Sequence, residues 1–126
     1  MYHHVRVPVE DCDLLRFLWW PGEDTALEPA EYQMVMHPLG VKSSGNCVNH
    51  ALRHTAEEHG HKYCNEASEA IMKNFYADNL LKAHDDEEHL KMMMVDMTSL
   101  CADGGWCLNQ WTSSNRGLLS VISESE

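Results

Sequence analysis

Asp78 stands in the run Phe75-Tyr76-Ala77-Asp78-Asn79, after a helix-like stretch and before Leu80-Leu81-Lys82. An aromatic-rich segment running into so short a polar pair predicts a hairpin with Asp78 at its tip. A carboxylate held on a tight turn suits divalent-metal chemistry, because Mg²⁺ prefers hard oxygen ligands. Taken alone, the pentapeptide is weak support for that chemistry. A second group of ligand types lies upstream. Cys47, His50 and His54 share one face of a predicted helix, and His59, His61 and Cys64 follow. Zinc takes such ligands tetrahedrally, but no familiar zinc-ligand spacing is present, and surface histidines are the plainer reading. Ser/His/Asp or Cys/His hydrolysis has its residue types here, but no nucleophile elbow organises them.

The elements that must position these residues are legible from periodicity and turn signals. Tyr2 to Pro8 has strand character. Pro21-Gly22-Glu23-Asp24 predicts a turn after the apolar run Phe17–Trp20. From Glu31 to His37, Tyr32, Met34 and Met36 alternate with Gln33, Val35 and His37, which is period-two, strand-like spacing. From Ser44 to His59 the spacing turns helical, with Val48, Ala51, Leu52, Thr55 and Ala56 on one stripe and Gly60 as the stop. A shorter helix is predicted from Glu66 to Met72. Another is predicted from Asp85 to Ala102, where Asp85 and Glu88 have capping-box spacing and Leu90, Met93, Met94, Met97, Leu100 and Cys101 form a core stripe. Gly104-Gly105 ends it, and a strand is expected from Trp106 to Thr112. Residues 113–126 are expected to be a poorly ordered polar tail, with one apolar patch from Leu118 to Ile122. Strands alternating with helices predict an α+β fold, an antiparallel sheet with helices packed on one face.

Several segments carry a wider pattern. They are Val5-Arg6-Val7-Pro8, Asp13 through Trp20, Tyr32 through His37, Gly40 through Ala56, Asn74 through Asp78, and Gly104 through Ser113. In this order and spacing they resemble the palm and fingers of reverse transcriptases from BEL/Pao-type LTR retrotransposons. The resemblance implies a partial polymerase palm. It also implies RNA-directed DNA polymerase chemistry: nucleotidyl transfer from dNTPs on an RNA or DNA template-primer, with Mg²⁺ as cofactor. Asp78 matches the essential metal-binding carboxylate of the Tyr-x-Asp-Asp turn, and Asn79 stands where the second Asp belongs. The other family carboxylate, on the strand entering the palm, aligns upstream of Met1. Tyr2 matches an aromatic gate under the incoming sugar, or else is a buried tyrosine. Gly40, Ser43 and Ser44 match the loop beneath the nascent base pair, with Gly45 in place of the expected Pro; alternatively they are a helix N-terminus. Tyr76 accompanies them among the substrate-side residues. Trp111 belongs either to a primer-contacting turn or to the core.

Composition limits these roles. The 126 residues are read as one partial domain with a net charge of -11, and the basic residues are scattered. Nucleic-acid affinity comes largely from Lys and Arg neutralising phosphates, so weak or no binding is expected of the isolated chain, and no turnover. Five cysteines without a Cys-x-x-Cys pair read as reduced thiols, and no signal peptide or membrane-length apolar run is present. An intracellular protein, cytoplasmic or nuclear, is expected. The alternative class is a non-enzymatic module: a host-recruited interaction domain or a small His/Cys metal-binding protein.

Overall fold

The amphipathic stripes become the helices of the chain. The computed structural model describes the backbone of residues 2–123 and the side chains of residues 2–119. Helix α1 spans Ser44–His59, and Val48, Leu52, Thr55 and Ala56 along its stripe are all buried. Helix α2 spans Asn65–Lys73 and buries Ala67, Ala70 and Ile71. Helix α3 spans Glu87–Asp103 and buries Met93, Met94, Met97, Leu100 and Cys101. Helix α4 spans Arg116–Ser123. The strands are β1 (Arg16–Trp19), β2 (Ala30–Gln33), β3 (Phe75–Tyr76) and β4 (Asn79–Leu80). The fold is α+β, as expected. Among the described residues the strands form two separate two-stranded antiparallel sheets, β1-β2 and β3-β4, rather than the single sheet anticipated. Among the described residues, no helix is long and apolar enough to cross a membrane.

Contacts divide the chain into two compact units, one covering Tyr2–Val48 and the other beginning at Asn49. In the first unit, β1 and β2 pair from Arg16 opposite Gln33 to Trp19 opposite Ala30. Arg16 braces this hairpin, with guanidinium nitrogens 2.9 Å from Asp13 and 2.8 Å from Glu31. The strand predicted over Tyr2 to Pro8 shrinks to one bridge, Arg6 to Met36. The reason is local: Tyr2–His4 closes a 3₁₀ turn, with the Val5 amide donating to the Tyr2 carbonyl, and Pro8 has no amide to offer a ladder. Beyond it, Val9–Leu15 forms a further 3₁₀ segment.

In the second unit, α2 packs on α3. Ala67 and Ala70 meet Met93, Met94, Met97 and Leu118 in a buried cluster, with Leu80, Leu90, Leu108 and Trp111 half-buried around it. The helices therefore cover one another rather than one face of a sheet. Two small alanines let α2 approach closely, and the unbranched methionines fill the remaining space. Asp86, not Asp85, caps α3: its Oδ1 accepts from the amides of Glu88 and His89 at 3.0 and 3.2 Å.

The C-terminal end of α3 is a Schellman motif, in which the Trp106 amide donates to the Cys101 carbonyl and the Gly105 amide to the Ala102 carbonyl. That closure turns the chain sharply. Trp106 to Thr112 forms no strand, and the Trp106 indole instead donates to Thr55 Oγ1 at 2.9 Å. Within residues 113–126, Arg116–Ser123 forms α4, and its Leu118 is buried in the core cluster. The rest of the apolar patch, from residue 120, lies outside the described side chains.

Candidate functional site

The hairpin that carries Asp78 grows directly out of α2. Asn74 caps the helix, its amide donating to the Ala70 carbonyl at 2.8 Å. The same residue opens the hairpin: the Leu81 amide donates to the Asn74 carbonyl at 3.0 Å, and Asn74 Nδ2 donates to the Leu81 carbonyl at 2.9 Å. Phe75 then pairs with Leu80, and Tyr76 with Asn79. Leu80 rests on the core cluster. The two remaining residues, Ala77 and Asp78, make the turn, with Ala77 at φ 52°. A positive φ at the first central residue follows the right-handed twist of the flanking strands. It puts Asp78 at an exposed tip beside exposed Asn79, and leaves Tyr76 79 % exposed.

The other residues that the sequence places on the substrate side, Tyr2, Gly40, Ser43 and Ser44, belong to the first unit. Gly40 lies in the turn before α1, at φ +90°. Ser43 is exposed, and its carbonyl accepts the Cys47 amide at 3.0 Å, so it stands at the helix start. Ser44 is fully buried, and its Oγ lies 3.3 Å from His37 Nδ1; its side chain faces His37 rather than an open surface. Tyr2 is half-buried, and its hydroxyl lies 3.5 Å from where a Cβ on Gly45 would sit. The structure thus brings Tyr2 to the start of α1, the loop with which the sequence grouped it.

Two Mg²⁺ ions about 3.5–4 Å apart need carboxylates converging from more than one strand. Among the described residues, Asp78 belongs to no group of three ligating side chains, and the Asn79 amide brings no charge. These residues do not fit a two-magnesium centre. Among the described residues, Cys47, His50, His54, His59, His61 and Cys64 supply no group of three ligand atoms within 4.8 Å of one another. His54 instead faces Glu57 at 3.5 Å. Burial pushes the Cys64 thiol up, away from the thiolate a metal requires.

A different group does assemble. Glu66, His84 and His89 each present a ligand atom, and these atoms all lie within 4.8 Å of one another. His89 Nε2 is 2.7 Å from Glu66 Oε2. The hydrogen bond from His89, opposed by desolvation and aided by the charges of His89, His84 and Lys82, holds the Glu66 carboxyl below its usual range. Sequence reading misses this group because Glu66 and His89 are 23 residues apart, and only the packing of α2 on α3 brings them together. The five-residue step from His84 to His89 is no helical-face spacing.

No protein-family model, curated protein or solved structure matches this chain.

Proposed function

We propose that the chain derives from the reverse transcriptase of a BEL/Pao-type LTR retrotransposon, an RNA-directed DNA polymerase, and that these residues do not polymerise by themselves. The observation that carries this reading is the two-residue turn between β3 and β4, which holds Asp78 at an exposed tip with Tyr76 and Asn79 flanking it. A Tyr-x-Asp turn needs that geometry to present its carboxylate to a metal-bound triphosphate. The proximity of Tyr2 to Gly45 supports the same reading. Inactivity follows from Asn79 in place of a carboxylate and from a net charge of -11, which disfavours holding template-primer or dNTP.

Primer extension tests the proposal. The unmodified chain, given template, primer, dNTPs and Mg²⁺ or Mn²⁺, yields no product, and Asn79→Asp alone does not change that. Asn79→Asp within a polymerase that supplies the entering-strand Asp, fingers and thumb restores template-dependent synthesis, and Asp78→Ala abolishes it again. No product from that assembled polymerase would sink the ancestry. Product from the unmodified chain, lost in Asp78→Ala, would show a working site. The second reading, a small metal-binding protein, is favoured by one observation, the Glu66–His84–His89 group.

A further inference from the structure

Three segments converge on one point of the second unit: the first turn of α2 with Glu66, the loop after β4 with His84, and the first turn of α3 with His89. The imidazoles of His84 and His89 are stacked, with centroids 4.7 Å apart and planes at 21°. The His84 ring is oriented by backbone, its Nδ1 lying 3.0 Å from the Asp86 amide nitrogen and 3.2 Å from the Asp86 carbonyl oxygen. His89 is oriented by its contact with Glu66 and by the start of α3, whose cap at Asp86 accepts the His89 amide. Neither histidine is a freely rotating surface side chain. Glu66 and His84 are exposed and His89 is half-buried, so the group opens to solvent on one side.

We propose that Glu66, His84 and His89 form a binding site for a zinc-type divalent cation, with the remaining coordination position open to water. Two imidazoles and one carboxylate are a donor set that Zn²⁺ takes readily, whereas Mg²⁺ demands oxygen ligands in near-octahedral array. Zinc bonds of about 2.0–2.2 Å place tetrahedral ligand atoms roughly 3.3–3.5 Å apart. The ligand atoms here lie within 4.8 Å of one another, and a bound cation would draw them to that spacing. The cation would replace the contact between His89 and Glu66 and pin the loop to both helices. The adjoining run Asp85-Asp86-Glu87-Glu88 adds negative potential, offset in part by Lys91, which pairs with Glu87 and Glu88 at 3.2 and 2.7 Å, and by Lys82 near Glu66. The site shares no residue with the Asp78 hairpin and stands or falls independently of the polymerase ancestry.

Zinc titration of the full chain by calorimetry, paired with thermal unfolding, tests the site. One Zn²⁺ per chain is expected, with a melting temperature raised by several degrees in excess Zn²⁺ and unmoved by Mg²⁺. Glu66→Gln, His84→Ala and His89→Ala each weaken binding at least tenfold. The control variants His50→Ala/His54→Ala and Cys107→Ser leave it unchanged. His84 lies outside the helices, so His84→Ala keeps the far-ultraviolet circular dichroism of the parent. In the parent chain, Zn²⁺ shifts the imidazole NMR signals of His84 and His89 together. Absence of saturable Zn²⁺ binding would reduce the group to an ion pair beside a helix cap. Binding that survives in a His84→Ala/His89→Ala double variant, or that disappears in the controls, would place the metal elsewhere. Either result overturns the proposal.

Discussion

Two adjacent glycines end α3 for different physical reasons. Gly105 sits at φ +77° with open space around its Cα, and Gly104 has an ordinary φ but lies against Thr55. A methyl on Gly104 would run into Thr55 Cγ2 and Oγ1. That same Oγ1 accepts the buried Trp106 indole N–H and donates to the Ala51 carbonyl at 3.2 Å. Gly105→Ala is therefore expected to cost about 1 kcal/mol of backbone strain. Gly104→Ala is expected to cost more, about 1–3 kcal/mol, by overpacking. Urea unfolding of the two variants checks the order, and equal costs would refute it. Asp103 supplies a second prediction. Hydrogen bonds from Lys62 and Tyr63, at 2.9 and 3.1 Å, hold its carboxyl below the usual range. A group with a depressed folded pKa stabilises above its unfolded value, about 3.9, and that contribution is lost as the pH falls through the folded value. Lys62, raised chiefly by its hydrogen bond to Asp103, contributes below about 10.4 and loses that contribution as the pH climbs through its folded value. Between these limits the clamp contributes in full. Asp103→Asn should lower the melting temperature near neutrality and narrow its gap from the parent toward pH 3. A constant gap across that range would show that the clamp carries no such term.

At the scale of elements, caps and packing decide where each helix begins and what it covers. Capping-box spacing with Glu88 singles out Asp85 in the sequence as the cap of α3. In the structure Asp86 accepts the two first-turn amides. Asp86→Ala should then cost about 1 kcal/mol, within the 0.5–2 range for lost N-caps. Asp85→Ala should fall within about 0.5 kcal/mol of the parent, as surface changes away from such features do. Chemical denaturation in metal-free buffer separates the two, and a larger loss from Asp85→Ala would reassign the cap. The candidate functional residues depend on the same elements. The Asp78 hairpin is rooted through Asn74 in the end of α2 and through Leu80 in the core. Glu66 and His89 occupy first turns of helices that share a buried seam.

On the scale of the molecule, apolar burial is uneven. The second unit holds the Ala67, Met93 and Met97 cluster together with Leu52, Ile71 and Leu100, all at most 1 % exposed. In the first unit, every residue of β1 is exposed, Leu18 at 64 % and Trp19 at 50 %. Local opening is cheapest where few apolar contacts cover the backbone hydrogen bonds. Amide hydrogen exchange should therefore be slowest in the middle of α3 and markedly faster in β1 and β2. Comparable protection in the β1-β2 hairpin would mean that its strands are covered in solution. The net charge of -11 adds self-repulsion at low ionic strength.

Local chemistry by itself determined much of this protein. The bounds of α1 follow from its stripe and from Gly60, and the existence of α2 and α3 follows from helical periodicity over a sufficient length. That a hairpin carries Asp78 at its tip follows from an aromatic pair running into Asp78-Asn79 and then Leu80-Leu81. These features depend on residues within a few positions of one another. Tertiary structure decided the remainder. Trp106 to Thr112 has strand-like composition, but a strand needs an edge to pair with, and the Schellman closure commits the Trp106 amide to Cys101 instead. The end of the chain is polar in sequence, yet Leu118 finds the methionines of α3. Glu66, His84 and His89 meet only because α2 lies on α3, and no local pattern encodes a contact that burial of distant alanines and methionines creates.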